Sequence, residues 1–182
     1  MSHITTLFFD LGGVCLSNGW DREQRRVVTE KYGFDYDTFD RRHRQVVDAL
    51  ERGQLTLHEY LRWTIFYEAH PFTIEDITTE MMQLSVPFPE TLEIVRALRQ
   101  TGKYLLATIN NESRELNEYR IKHFGLRELF SAFFSSCYLN LLKPQRSWGL
   151  PDLLISILVT TRFPHQFQLG LKQSLKQPLL AM

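Results

Sequence analysis

Residues 4–9 form a short apolar run, rich in β-branched and aromatic side chains, that stops at Asp10 and is followed by Gly12 and Gly13. A run of this length and composition, closed by chain breakers, reads as a buried strand feeding a tight loop. Function is often sited at such a strand end.

The next stretch has a different period. Residues 20–84 carry helical spacing of apolar positions, broken by turn signals: 21–32 closed by Gly33, 36–52 closed by Gly53, 56–69 closed by Pro71, and 73–84 closed by Pro87. Thr56 with Glu59 and Thr73 with Asp76 have the three-residue spacing of an N-cap pair. Pro89 and Glu90 open a further helix over 91–100. A second apolar strand is expected over 103–109, a helix over 112–123 ended by Gly125, and a third strand over 132–136 before Lys143 and Pro144. This order predicts an α/β fold: a Rossmann-like open parallel sheet with an inserted α-helical cap. The expected boundaries are 1–16 and 87–182 for the α/β core and 17–86 for the cap.

Composition narrows the partners. Across 182 residues the formal net charge is zero, so no overall pull toward nucleic acid or an anionic membrane surface is expected. The run Arg41, Arg42, His43, Arg44 reads as a solvated helix face, because nearby acids offset it. Tyr60, Trp63, Phe66 and Tyr67 read as the core of the helical segment. Cys15 and Cys137 are too few for a disulfide framework and sit among apolar or small neighbours, as buried free thiols do. The opening lacks a basic n-region and no apolar stretch approaches membrane-spanning length, so a cytoplasmic protein is the expectation.

Residues 145–182 read differently from the rest. Arg146, Arg162, Lys172 and Lys176 stand against one acid, Asp152, and no clear helical stripe is present. The segment reads as an atypical tail, as from a frameshift or alternative splice; a diverged but folded end is the other reading. On the first, the sheet is incomplete at its C-terminal side.

Ligands of open α/β sheets sit at the carboxyl ends of strands, which here are Asp10, Asn110 with Asn111, and the segment leading to Lys143. A strand-end carboxylate beside two glycines can serve as a nucleophile toward phosphorus, with backbone amides free to approach an anion. A lysine from a neighbouring strand end would neutralise phosphate charge and keep that carboxylate ionised. The asparagines offer amide donors to a phosphoryl oxygen. Singly, each has an ordinary reading as a turn residue, a helix cap or the start of a loop; their order points to a site.

The stretch Leu7-Phe8-Phe9-Asp10-Leu11-Gly12-Gly13-Val14 resembles the first motif of the haloacid dehalogenase superfamily. Residues 105–113 resemble its second motif, and 135–144, through Lys143-Pro144, its third. The likeness covers roughly residues 4–144. It implies a phosphatase that hydrolyses a small phosphorylated metabolite through an aspartyl-phosphate on Asp10, with Lys143 steadying the charge and Asn110, Asn111, Gly12 and Gly13 binding phosphate. It also implies Mg²⁺, held by the Asp10 carboxylate, the Gly12 carbonyl and an acid of a fourth motif. Trp20 and Arg25 follow the first loop closely enough to overhang the site as substrate contacts from the cap.

Three departures from the family pattern stand out. Gly12 occupies the position where the usual phosphatases carry a second aspartate as acid/base. Asn110 stands where serine or threonine is usual. The expected fourth strand, 153–159, runs into Thr160, Thr161 and Arg162 instead of paired acids. Two alternatives therefore accompany the phosphatase: an inactive relative acting as a binding module, and a 2-haloacid dehalogenase, which Gly12 disfavours because those enzymes usually carry a bulky aromatic there.

Overall fold

The structure, a computed structural model, describes residues 5–143. The readings placed on 145–182, including the atypical tail and the incomplete sheet edge, lie outside the described residues.

Three strands, β1 (Thr6–Phe9), β2 (Leu105–Asn110) and β3 (Ala132–Ser135), form a parallel sheet in the order β1-β2-β3. Phe9 pairs with Thr108 and Asn110 with Ser135, so the three carboxyl ends lie along one edge. Alternation in β1 turns Leu7 and Phe9 inward. They join Leu11, Leu92, Leu106 and Phe130 in an apolar core beneath α5 (Pro89–Gln100) and α6 (Arg114–His123). This is the α/β class with an open parallel sheet that the order of elements predicts.

Between β1 and α5 the chain forms α1 (Arg22–Tyr32), α2 (Tyr36–Glu51), α3 (Leu57–Thr64) and α4 (Ile74–Gln83). Their apolar stripes enclose a second core containing Val28, Phe39, Tyr60, Leu61, Ile77 and Met81. Reciprocal capping boxes start α1 at Asp21 and Gln24, α3 at Thr56 and Glu59, and α4 at Thr73 and Asp76. Each satisfies helix-end amides that would otherwise lack partners.

The third helix is shorter than its periodicity predicts. It ends at Thr64, where the His70 ring bonds the Ile65 carbonyl at 3.0 Å and stacks on Phe72 at 4.8 Å, with Phe66 packed edge-on. Packing of those rings prevails over continuation of the helix. Two further expectations change. Trp63, on the outer face of α3, and Tyr67, three residues past its end, are exposed, with the Arg42 guanidinium 3.7 Å above the Tyr67 ring, while Tyr60 is fully buried. His43 is buried, its Nδ1 2.8 Å from the Tyr60 hydroxyl, so it leaves the solvated face on which Arg41, Arg42 and Arg44 lie.

The helical segment leaves the sheet layer and returns to it through two adjacent stretches of chain. The Ser17 N–H donates to the Val86 carbonyl at 2.8 Å, and the Val86 N–H to the Ser17 hydroxyl at 2.9 Å. The Phe88 N–H donates to the Cys15 carbonyl.

Candidate active site

Asp10 is carried past the end of β1 and held by the turn that follows. The Leu11 carbonyl accepts from the Val14, Cys15 and Leu16 amides, and the Gly13 N–H donates to the Leu16 carbonyl at 2.7 Å. Gly13 has φ +73, which a side chain disfavours. The Gly13 amide, expected to face an anion, is thus engaged within its own turn.

Lys143 comes from the segment after β3, 133 positions further along the chain, and its Nζ lies 2.5 Å from Asp10 Oδ2 and 2.9 Å from the Ile109 carbonyl of β2. The side chains are 20% and 24% exposed, so the pair can be reached by a ligand. Asn111 sets the lysine from below: its Oδ1 accepts from the Lys143 N–H at 2.8 Å and its Nδ2 donates to the Lys143 carbonyl at 3.2 Å. Asn110, at the end of β2, is buried, and its amide donates to Asn117 Oδ1 at 3.2 Å. Both asparagine amides, read from the sequence as phosphate donors, have protein partners here, and what Asn111 does is hold the backbone of Lys143.

The two arginine and tryptophan candidates also have other partners. Arg25 donates to the Trp20 carbonyl at 2.8 Å and to Asp40 Oδ1 at 3.1 Å, while Trp20 Nε1 donates to the Tyr60 hydroxyl at 2.9 Å. Trp20 belongs to the core of the helical segment, and no hydrogen bond among the described residues joins either side chain to Asp10 or Lys143.

The sequence reading missed a charged pair beside these residues. Arg120, on α6, is fully buried and donates from Nη1 to Glu112 Oε2 at 2.6 Å. Burial pushes the Glu112 carboxyl up to about 7, against the pull of Arg120, and the Glu51 and Asp10 carboxylates add to the rise. Burial likewise raises Glu51, with Asp48 adding to it and Lys143 opposing it. One hydroxyl ties these stretches together: Ser136 Oγ donates to the Glu51 carbonyl at 2.6 Å and accepts from the Glu112 N–H at 3.0 Å. Arginine is rarely buried, so only its phase on α6, alongside Leu116, Asn117 and Ile121, could have marked Arg120 from sequence.

As a metal site the arrangement falls short. Among the described residues no group of three or more His, Cys, Asp or Glu side chains could hold a metal ion, and the donors expected there are the Asp10 carboxylate and the Gly12 carbonyl. Mg²⁺ demands near-octahedral oxygen coordination, and this donor set alone does not make a resident site.

Comparison with solved structures decides the architecture. A HAD family enzyme from Bacteroides thetaiotaomicron superposes with a TM-score of 0.67 at 20% identity, over 79% of this chain and 74% of that one. The chain has the haloacid dehalogenase fold. The same bacterial enzyme in complex with magnesium and inorganic phosphate gives a TM-score of 0.61 at 19% identity, over 79% and 74% of the two chains. The L-2-haloacid dehalogenase from Xanthobacter autotrophicus, with chloropropionic acid covalently bound, gives 0.52 at 15% identity, over 79% and 61%. No family model matches the haloacid dehalogenase-fold chain, and no curated protein matches its sequence. No helix among the described residues is long and apolar enough to cross a membrane.

Proposed function

We propose that this chain is a phosphohydrolase acting on a small phosphate monoester, with Asp10 as nucleophile. The observation that carries the reading is the Lys143 ammonium on Asp10 Oδ2, part exposed at the carboxyl edge of a parallel sheet. The ammonium offers a positive charge to the phosphoryl oxygens as Asp10 attacks phosphorus. The alcohol departs, and water then cleaves the aspartyl-phosphate and restores Asp10. Residues 17–86 act as the cap over this edge, and residues 1–16 with those from 87 onward as the core.

The complex of a similar fold with magnesium and inorganic phosphate supports a phosphate ligand. Mg²⁺ bound with the substrate phosphate would supply further charge neutralisation beside Asp10 and the Gly12 carbonyl. The small donor set among the described residues favours a second reading, a module that binds phosphate esters without turning them over.

The test is hydrolysis of 4-nitrophenyl phosphate, with and without added Mg²⁺, by the full chain and by Asp10→Asn. We expect turnover that falls by roughly 10³-fold or more in the variant, since the nucleophile is lost. Equal rates would remove Asp10 from the chemistry. Phosphate binding without turnover in either protein would select the binding module.

A further inference from the structure

Arg120 is the largest fully buried side chain among the described residues, and its guanidinium reaches three separate stretches of chain. Nε donates to Ser85 Oγ at 3.0 Å, Nη2 to the Ser17 carbonyl at 2.9 Å, and Nη1 to Glu112 Oε2 at 2.6 Å. Two glycines frame it. A Cβ on Gly19 would lie 1.8 Å from Nη2, and one on Gly12 would lie 3.8 Å from Nη1. A planar cation bonded along three directions is fixed in orientation as well as place. The nitrogen that holds the Glu112 carboxylate, Nη1, is the one that faces Gly12 in the loop after Asp10, and the Asp10 charge acts on that carboxyl.

Ester cleavage at Asp10 leaves two proton transfers unassigned. The departing alkoxide needs a proton, and the water that attacks the aspartyl-phosphate must lose one. Asp10 is occupied as nucleophile, Lys143 is engaged with it, and Gly12 and Gly13 have no side chains. Asn110 and Asn111 do not titrate, and burial pushes the Cys15 thiol up to about 12. Among the described residues Glu51 and Glu112 are the further acids close by: Glu51 ends α2, whereas Glu112 lies two residues past β2 and is anchored at both ends, carboxylate by Arg120 and backbone N–H by Ser136.

We propose that Glu112 is the proton-transfer group of this site and that Arg120 is the positioning residue that holds it. The proposal rests on the phosphohydrolase reading. Protonated Glu112 gives its proton to the ester oxygen as the bond from that oxygen to phosphorus breaks and the Asp10 oxygen bonds to phosphorus. The carboxylate so formed, paired with Arg120, then takes a proton from water as the water oxygen bonds to phosphorus and the Asp10–phosphorus bond breaks. Both groups return to their starting states. The charges acting on Glu112 are those of Arg120, Glu51 and Asp10, with the Ser113 N–H as a further hydrogen-bond donor. Together with burial they place its carboxyl near neutrality, where one group serves as acid and then as base.

The test compares leaving groups. On the full chain, kcat/KM, which reports the step that releases the alcohol, is measured from pH 5 to 9 for glycerol phosphate and for 4-nitrophenyl phosphate, in the wild type and in Glu112→Gln. Nitrophenolate departs without a proton and an alkoxide does not. The expected result is a loss of roughly 10²-fold on glycerol phosphate, under about 3-fold on the aryl ester, and disappearance of the alkaline fall in the alkyl profile near pH 7. Equal losses on the two esters, or none, would overturn the proposal. Should Glu112→Gln fail to fold, Glu112→Asp keeps the charge for Arg120 but retracts the carboxylate, and must show the same dependence on leaving group. If the wild type hydrolyses neither ester through Asp10, the phosphohydrolase reading fails first and takes this one with it; if it hydrolyses both and only the dependence is missing, this one alone fails.

Discussion

The helical segment and the carboxyl edge of the sheet use polar residues in opposite ways. In the helical segment they bond one another: Arg25 and Arg44 both reach Asp40, and Trp20, Tyr60 and His43 form a buried chain through the Tyr60 hydroxyl. At the sheet edge Asp10 and Lys143 meet at a part-exposed point where a ligand can intervene. A polar network closed on itself specifies packing, whereas a part-exposed pair remains open to chemistry. The difference explains why the arginine selected from sequence for anion binding, Arg25, does structural work in the helical segment.

The contrast breaks most visibly at Lys143. Lys143→Met should lower kcat on an aryl phosphate by roughly 10²- to 10³-fold through lost charge stabilisation, while the thermal midpoint stays within a few degrees. A large fall in the midpoint instead would make this pair part of the scaffold.

Where the two regions touch, backbone matters more than charge. Gly53 has φ +70, and a Cβ there would lie 2.3 Å from the Cys137 carbonyl. Gly53→Ala should therefore destabilise the chain by roughly 2 kcal/mol or more in urea unfolding, through strain and separation of the α2–α3 turn from the stretch before Lys143.

Acid should act first on the helical segment. Burial is the largest cause pushing the His43 imidazole down to about 4 from its ordinary value near 6.5. As pH falls below about 6.5 the unfolded chain takes up this proton and the folded chain does not, until about 4. Stability is thus fully present above about 6.5 and declines toward 4, by an amount on the order of 3 kcal/mol. Urea midpoints from pH 7 to 4 should show that slope in the wild type and a shallower one in His43→Gln; parallel slopes would place the acid sensitivity elsewhere.

The smallest expected effect concerns a cap. Thr73→Ala removes the hydroxyl half of the α4 capping box, leaving the backbone N–H on Asp76, and should cost about 1 kcal/mol with no change in kcat. A change in kcat would show that the helical segment tunes the sheet edge at long range.

Much of the architecture was legible because it is encoded locally. The strand at β1 follows from an unbroken apolar run before Asp10. The starts of α3 and α4 follow from Thr56 with Glu59 and Thr73 with Asp76. The end of α3 was not legible, since Phe66, His70 and Phe72 compete with helical periodicity only once they meet in space. The same holds at the site. Asp10 and Lys143 could be named from their places after β1 and β3, but the engagement of Asn111 with the Lys143 backbone, and of the Gly13 amide with Leu16, arises only as the chain packs in space.

Sequence alone marks where most strands and helices begin, and singles out Asp10 after β1 and Lys143 in the segment after β3, because period, capping and breaker residues act within a few positions along the chain. Packing in space settled the pairings that the motifs leave open, Arg25 on Asp40 and Arg120 on Glu112 between the two linkers, beside the expected pair of Lys143 on Asp10. Those partners lie 15, 8 and 133 positions apart. Their meeting is set by packing that excludes water: helical phase can turn Arg120 inward on α6, but it does not name the carboxylate it meets.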